Sequence, residues 1–272
     1  ALDAMQDKLA EWLEEDLGKG DFTSLAVVNN EICSATITGG PGVISGLHIC
    51  KILLKQNSIN YTTEYNDGDA IVSPLIFSLD GNSHDILATE RLLLNILSHL
   101  SGISTHTNKI VRIAKKVNPN VEILATRKTL PGLRDLEKKA VVHGGGATHR
   151  MRLDDAILIK DNHLKLSKNI KKSIEMSRNK YPNLMLEVEA DNEQQAIEIA
   201  KNGADRVMLD NFSPDEATAT IRKLREISDI EIEISGGVTI ENVASYAKDA
   251  DFISLGSLTM SSLPVDFSLH VL

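Results

Sequence analysis

The sequence predicts an α/β protein, a small N-terminal α+β domain followed by an α/β barrel with fewer than the usual eight repeats. Three observations carry this. The first third mixes helix-period and strand-period segments, the remainder alternates short apolar runs with helical stretches, and each of those later runs ends in a polar residue. Composition permits a sizeable core: of 272 residues, 42% are hydrophobic and 25% charged, near the globular average, which excludes wholesale disorder.

The chain opens with a helix carrying Leu2, Met5, Leu9, Trp12 and Leu13 at three- and four-residue spacing, which stops at Leu17-Gly18. Strand-like segments follow at Ile32 to Thr38 and Ala70 to Leu79. Turn clusters break them at Gly39-Gly40-Pro41-Gly42 and Asp80-Gly81-Asn82. From Asp85 a stripe of Ile86, Leu93, Leu97 and Leu100 predicts a helix, interrupted at Gly102 before a second helical run reaches Val117. The domain boundary is placed here, residues 1–105 against 106–272.

Beyond Pro119, six candidate parallel strands cover Val121 to Thr126, Ala156 to Lys160, Leu184 to Glu189, Val207 to Asp210, Ile230 to Ser235 and Phe252 to Gly256. The helices between them carry their own signals. Ser213-Pro214-Asp215-Glu216 has capping-box spacing with proline at the first helical position, and Gly203 stops a helix running from Asn192 to Asn202. The polar strand ends decide the architecture. In a barrel they converge on one mouth, whereas an open sheet spreads them along an edge.

Charge narrows the function. The chain has 29 Lys and Arg against 38 Asp and Glu, a net charge of −9, which argues against a general nucleic-acid binder. No apolar run approaches the roughly 18 residues that cross a membrane, and the acidic start is unlike a signal peptide, so a cytoplasmic location is expected. Cys33 and Cys50 form no metal-binding or disulfide pattern and read as reduced, buried thiols.

Between Arg127 and Arg152, however, seven cations face two acids. Lys138 and Lys139 read as a solvated helix face beside Asp135. Arg127, Lys128 and Lys160 end apolar strands and should crowd the mouth together with Arg150. Two like charges about 6 Å apart at an effective dielectric of about 20 repel by roughly 3 kcal/mol, so the cluster needs an anion. A salt-bridge network with Glu189 and Asp210 is one account; a substrate with several negative charges is the better one. Glu189 and Asp210, ending adjacent strands, suit a hydrated Mg²⁺ on a diphosphate. Ser235-Gly236-Gly237 and Gly256-Ser257 read either as turns or as backbone N–H cradles for a phosphate. Of the histidines, His149 and His163 lie in the basic sector and could donate to an anion, while His48, His84, His99, His106 and His270 read as structural.

Motifs along nearly the whole chain resemble those of the quinolinate phosphoribosyltransferase family. They include Glu15 to Ser24, Glu90-Arg91 through Ile103, Thr126 to Arg134, Gly144 to Met151, Ile159 to His163, Glu187-Val188-Glu189, Met208 to Asn211 and Ser235-Gly236-Gly237. The resemblance implies transfer of phosphoribosyl from phosphoribosyl pyrophosphate to quinolinate with decarboxylation, on an N-terminal α+β sandwich and an incomplete barrel of six to seven strands, with a C-terminal tail returning to the first domain. It implies Mg²⁺ and a homodimer, open to further assembly, in which Arg91 reaches the neighbour's site. By resemblance, Arg127, His149, Arg150 and Lys160 contact quinolinate; Lys128, Glu189 and Asp210 serve the pyrophosphate and metal; Ser235, Gly236, Gly237 and Gly256 hold the 5-phosphate. Lys128, Lys160, Glu189 and Asp210 are the residues expected to carry the chemistry.

Two positions depart from the family pattern. Met260 replaces the usual histidine of a Leu-Thr-His-Ser segment, and Thr148 stands where asparagine is usual. Altered affinity is the expected result. Rival readings are a transferase acting on nicotinate without decarboxylation, a molybdenum-associated homologue, or a non-catalytic anion-binding module.

Overall fold

The computed structural model describes residues 2–272. Its first elements are α1 (Leu2–Leu17), α2 (Phe22–Val27), β1 (Ile32–Gly39), α3 (Leu47–Gln56), β2 (Asn60–Thr62), β3 (Leu75–Asn82) and α4 (Ser83–Val117). Next come β4 (Glu122–Ala125), α5 (Arg134–His143), β5 (Ala147–Thr148), β6 (Ile157–Ile159), α6 (Asp161–Ser167), α7 (Ile170–Lys180), β7 (Leu186–Ala190) and α8 (Glu193–Lys201). The last are β8 (Arg206–Asp210), α9 (Pro214–Ile227), β9 (Glu231–Ser235), α10 (Val243–Ala247), β10 (Phe252–Ser254), α11 (Ser257–Met260) and β11 (Phe267–Val271).

Two compact units emerge. One holds the residues up to His106 with Val142–Gly145 and Ser262–Leu272; the other holds Thr107–Val141 and Gly146–Ser261. In the first, an antiparallel sheet runs β11-β1-β3-β2, with Ala35 paired to both Val271 and Leu79. Buried in this unit's core are Ala35, Ile37, Phe77 and Leu79 of the sheet and the apolar stripe of Leu47, Cys50, Leu53 and Leu54 on α3.

Three sequence expectations fail in this unit. The strand expected over Ala70 to Leu79 begins only at Leu75, after Pro74, which has no N–H to give a ladder. Asp80-Gly81-Asn82 is strand, not turn, because these residues pair with Ser34, Cys33 and Ile32 on β1 and the ladder supplies the backbone partners that a turn would have given. Gly102 does not interrupt its helix, since α4 runs unbroken from Ser83 to Val117. The glycine is there for clearance: a Cβ on it would lie 2.4 Å from the Leu263 carbonyl oxygen.

The second unit is built on a seven-stranded parallel sheet in the order β5-β4-β10-β9-β8-β7-β6. Its terminal strands β5 and β6 are not paired to each other, so the sheet curls into an unclosed barrel. Strand β5, only two residues long, is too short to register as an apolar run in the sequence. Along β7, β8 and β9, apolar Val188, Val207, Leu209, Ile232 and Ile234 alternate with Glu187, Glu189, Arg206, Asp210, Glu233 and Ser235. Side chains alternate across a strand, so the polar set shares one face. The sequence-read caps hold. Ser213 and Glu216 close a capping box on α9, and Gly203, at φ +81°, follows the end of α8. Among the described residues no helix is long and apolar enough to cross a membrane. Cys50 is buried and Cys33 half-buried, and both are free.

Candidate active site

The C-terminal ends of the parallel strands open into a cleft of about 800 Å³. Into it come Arg127 and Lys128 from beyond β4, His149 and Arg150 from beyond β5, and Lys160 from beyond β6. Glu189 of β7, Asp210 of β8, Ser235 ending β9, and Gly236, Gly237 and Gly256 complete it. Every sequence-derived site residue except Arg91 and His163 therefore lines a single cavity. Arg91 is exposed on α4 and takes no part in the lining.

One side of the cleft is cationic. Burial, and then the nearby Arg127 guanidinium, work against the positive charge on Arg150 and hold its pKa below the ordinary arginine value. Both effects would be relieved by a bound anion. Lys128 is held by its backbone: its amide donates to Thr126 Oγ1 at 3.0 Å and its carbonyl accepts from Thr259 Oγ1. Its side-chain stem crosses Gly256 so closely that a Cβ there would lie 2.5 Å from Lys128 Cδ.

Lys138 corrects the sequence reading. Instead of lying on a solvated face it is 1% exposed, with Nζ donating to the Arg150 carbonyl at 2.6 Å. The charged side of α5 faces the loops after β4 and β5, so helical spacing identifies neighbours on α5 but not what that face packs against. Lys139 is exposed, in line with the sequence.

The other side is acidic. Glu189, Asp191 and Asp210 each present a carboxylate oxygen within 4.8 Å of the others. Burial, then the charge of Asp210, pushes Glu189 up to about 7, and Lys160 opposes the rise. Three hard oxygen donors at this spacing fit Mg²⁺. Asp191 escapes sequence reasoning because it lies just past the strand, and its signal there, an acid two residues beyond Glu189, is weak.

His149 lies between the halves. Its Nε2 is 2.6 Å from Glu187 Oε1 and 3.2 Å from Glu233 Oε1, and its Nδ1 accepts the Arg150 amide N–H at 2.7 Å. Burial opposes charge on the ring, whereas both glutamates pull its pKa up, to about 9. Burial and the charge of Glu233 likewise raise Glu187, to about 8. The Arg150 amide N–H on Nδ1 turns Nε2 and its proton toward the two glutamates. His149, Glu187 and Glu233 cluster closely enough for a metal ion, but a protonated Nε2 has no lone pair to ligate one. Ser254 Oγ donates to Glu233 Oε2 at 2.7 Å, and the Arg206 guanidinium sits 3.8 Å over the Phe252 ring with Nη1 3.5 Å from Glu233. The sequence marks His149 as an anion donor; in the structure both ring nitrogens are engaged by protein. Glu187 and Glu233 are legible only through the apolar–acid alternation of Leu186 to Glu189 and Glu231 to Ile234.

At the far end, Gly236 and Gly237 adopt φ values of +82° and +69°. A Cβ on Gly236 would lie 2.5 Å from Asn211 Oδ1, whereas nothing lies within 4 Å of one on Gly237. The turn is thus glycine-dependent, with bare backbone toward the cavity. Met260, on α11, also lines the cavity and is exposed. His163 accepts the Lys160 amide N–H through Nδ1 at 2.9 Å, which fastens the start of α6.

Residues 21–101 match the family profile of the quinolinate phosphoribosyl transferase N-terminal domain, and residues 103–270 that of its C-terminal domain. The chain is 41% identical over 258 residues to a protein of Archaeoglobus fulgidus described as "Probable nicotinate-nucleotide pyrophosphorylase (carboxylating)", covering 93% of this chain and 98% of that one. A rat nicotinate-nucleotide pyrophosphorylase (carboxylating) is 32% identical over 265 residues, 96% of this chain and 88% of that one. Among solved structures, the nicotinate-nucleotide pyrophosphorylase of Francisella tularensis superposes with a TM-score of 0.94 at 32% identity, covering 100% of this chain and 97% of that one. Matched by both domain profiles, the chain belongs to the quinolinate phosphoribosyltransferase family.

Proposed function

We infer that the chain transfers the phosphoribosyl group of phosphoribosyl pyrophosphate to quinolinate and releases CO₂, giving nicotinate mononucleotide and pyrophosphate, a step of NAD synthesis. The observation carrying this is the gathering of Arg127, Arg150 and Lys160 opposite Glu189 and Asp210 in one cleft. Two adjacent carboxylates call for several cations, and guanidinium forks suit them. A plain anion binder would have little use for the acids.

In the first step the bond between ribose C1 and the pyrophosphate oxygen breaks while the pyridine nitrogen bonds to C1. Glu189 and Asp210, with Asp191, would hold Mg²⁺, which when bound supplies positive charge for the diphosphate. Lys128 adds an ammonium on the leaving group, and the backbone of Gly236 and Gly237, with Ser235 and Gly256, receives the 5-phosphate. In the second step the C2–carboxylate bond breaks. The electron pair stays on ring carbon 2 beside the cationic nitrogen, CO₂ departs, and the carbon takes up one proton. Arg127, Arg150 and Lys160 orient the ring for both steps; His149 serves through Arg150.

We place the enzyme in a homodimer in which Arg91 completes the neighbour's cleft; its exposure and its absence from this cleft's lining support that arrangement. Two free thiols suit the reducing cytoplasm. The test is nucleotide formation by Arg127→Ala and Lys160→Ala. Each variant should lose about a hundredfold or more in catalytic efficiency, and near-native kinetics in both would remove the proposed site.

A further inference from the structure

Helix α5 carries three side chains at positions i, i+3 and i+4 that turn toward the loops bearing the cleft's cations. Arg134 donates from Nε to Thr129 Oγ1 at 3.0 Å, from Nη1 to the Met151 carbonyl at 3.1 Å and from Nη2 to the Arg127 carbonyl at 3.2 Å. Glu137 accepts the Leu130 amide N–H at 2.8 Å. Lys138 donates to the Arg150 carbonyl at 2.6 Å. The main chain at Arg127 and the main chain at Arg150 are thereby tied to one rigid turn of helix.

Lys138 is the unusual member. It is 1% exposed, and its ammonium donates to a neutral carbonyl. Burying an ammonium against a carbonyl is unfavourable, and burial, with Arg134, Arg127 and Arg150 nearby, brings its pKa down to about 8 while Asp155 opposes. Fold stability alone would favour an apolar side chain there. The geometry serves a different end, because a donor at that point fixes where Arg150 sits relative to Arg127.

We propose that Arg134 and Lys138 are positioning residues that set the separation and direction of the Arg127 and Arg150 guanidinium groups, so that the cleft selects two adjacent carboxylates over one. This rests on the reading that Arg127 and Arg150 hold those carboxylates. Groups that orient metal ligands change affinity by about 10- to 100-fold when removed, and an effect of that order is expected of these by analogy.

The experiment is steady-state kinetics of the full-length protein with Lys138→Met, Lys138→Arg and Arg134→Lys, varying quinolinate and phosphoribosyl pyrophosphate separately and recording melting temperatures. Lys138→Met and Arg134→Lys should raise KM for quinolinate at least tenfold and leave KM for phosphoribosyl pyrophosphate within twofold, and Lys138→Arg should recover most of the loss. Folded variants with unchanged quinolinate KM, or with both KM values raised equally, overturn the proposal. Should Lys138→Met not fold, Arg134→Lys, which keeps the charge but loses the fork, decides alone. Arg127→Ala and Arg150→Ala are run alongside. If these leave quinolinate KM unchanged, the reading of the site fails; if they raise it while the α5 variants do not, only the positioning role falls.

Discussion

At His149 a single ring joins the end of β5 to β7 and β9, across the seam where β5 and β6 do not pair. Its Nε2 meets Glu187 and Glu233, and its Nδ1 takes the Arg150 amide. Removing it leaves two buried carboxyl groups facing each other and an amide without its acceptor. His149→Ala should therefore lose stability on the order of 3 kcal/mol in urea unfolding and also raise KM for quinolinate through Arg150. Lys138 offers a pH test. Its folded pKa of about 8 lies below the ordinary 10.5, so between those values the folded chain binds fewer protons than the unfolded one. Its contribution to stability then rises with pH through that window and is flat below it. Native protein should gain on Lys138→Met by an amount on the order of 3 kcal/mol between pH 8 and 10.5, measured by denaturant unfolding at both ends.

At the scale of elements, two glycines hold parts close together. Gly102→Ala places a Cβ 2.4 Å from the Leu263 carbonyl oxygen, and overpacking of this kind costs about 1–3 kcal/mol, readable as a lower urea midpoint with an unchanged slope. Gly256→Ala meets the Lys128 stem at 2.5 Å and should raise KM for phosphoribosyl pyrophosphate about tenfold with little effect on quinolinate. Gly102 also marks the limit of what the sequence can tell. Periodicity locates the apolar stripe of α4, the capping box of α9 and all the barrel strands but β5, because each of those signals is local. The continuity of α4 through Gly102, the strand character of Asp80 to Asn82 and the burial of Lys138 depend on what packs opposite, which local spacing does not record. The cleft is legible for the same reason as the strands, since its residues sit at strand ends; the supporting layer of Glu187, Arg134 and Lys138 lies one step behind it.

Over the whole molecule, a chain of net charge −9 brings Arg127, Lys128, Arg150 and Lys160 together at one opening. If Arg91 acts across a dimer interface, Arg91→Ala and Arg127→Ala should each be nearly inactive alone, and mixing the two should restore part of the activity through dimers that keep one intact cleft. The activity expected of this cleft is conversion of a pyridine dicarboxylate into a mononucleotide with loss of one carboxylate. It is tested most directly by incubating the protein with phosphoribosyl pyrophosphate, Mg²⁺ and quinolinate labelled in its 2-carboxylate, with nicotinate in a parallel reaction. The expected result is labelled CO₂ and nicotinate mononucleotide in equal amounts, with no product from nicotinate. Turnover of nicotinate at a comparable rate, or quinolinate consumed without release of labelled CO₂, would contradict it.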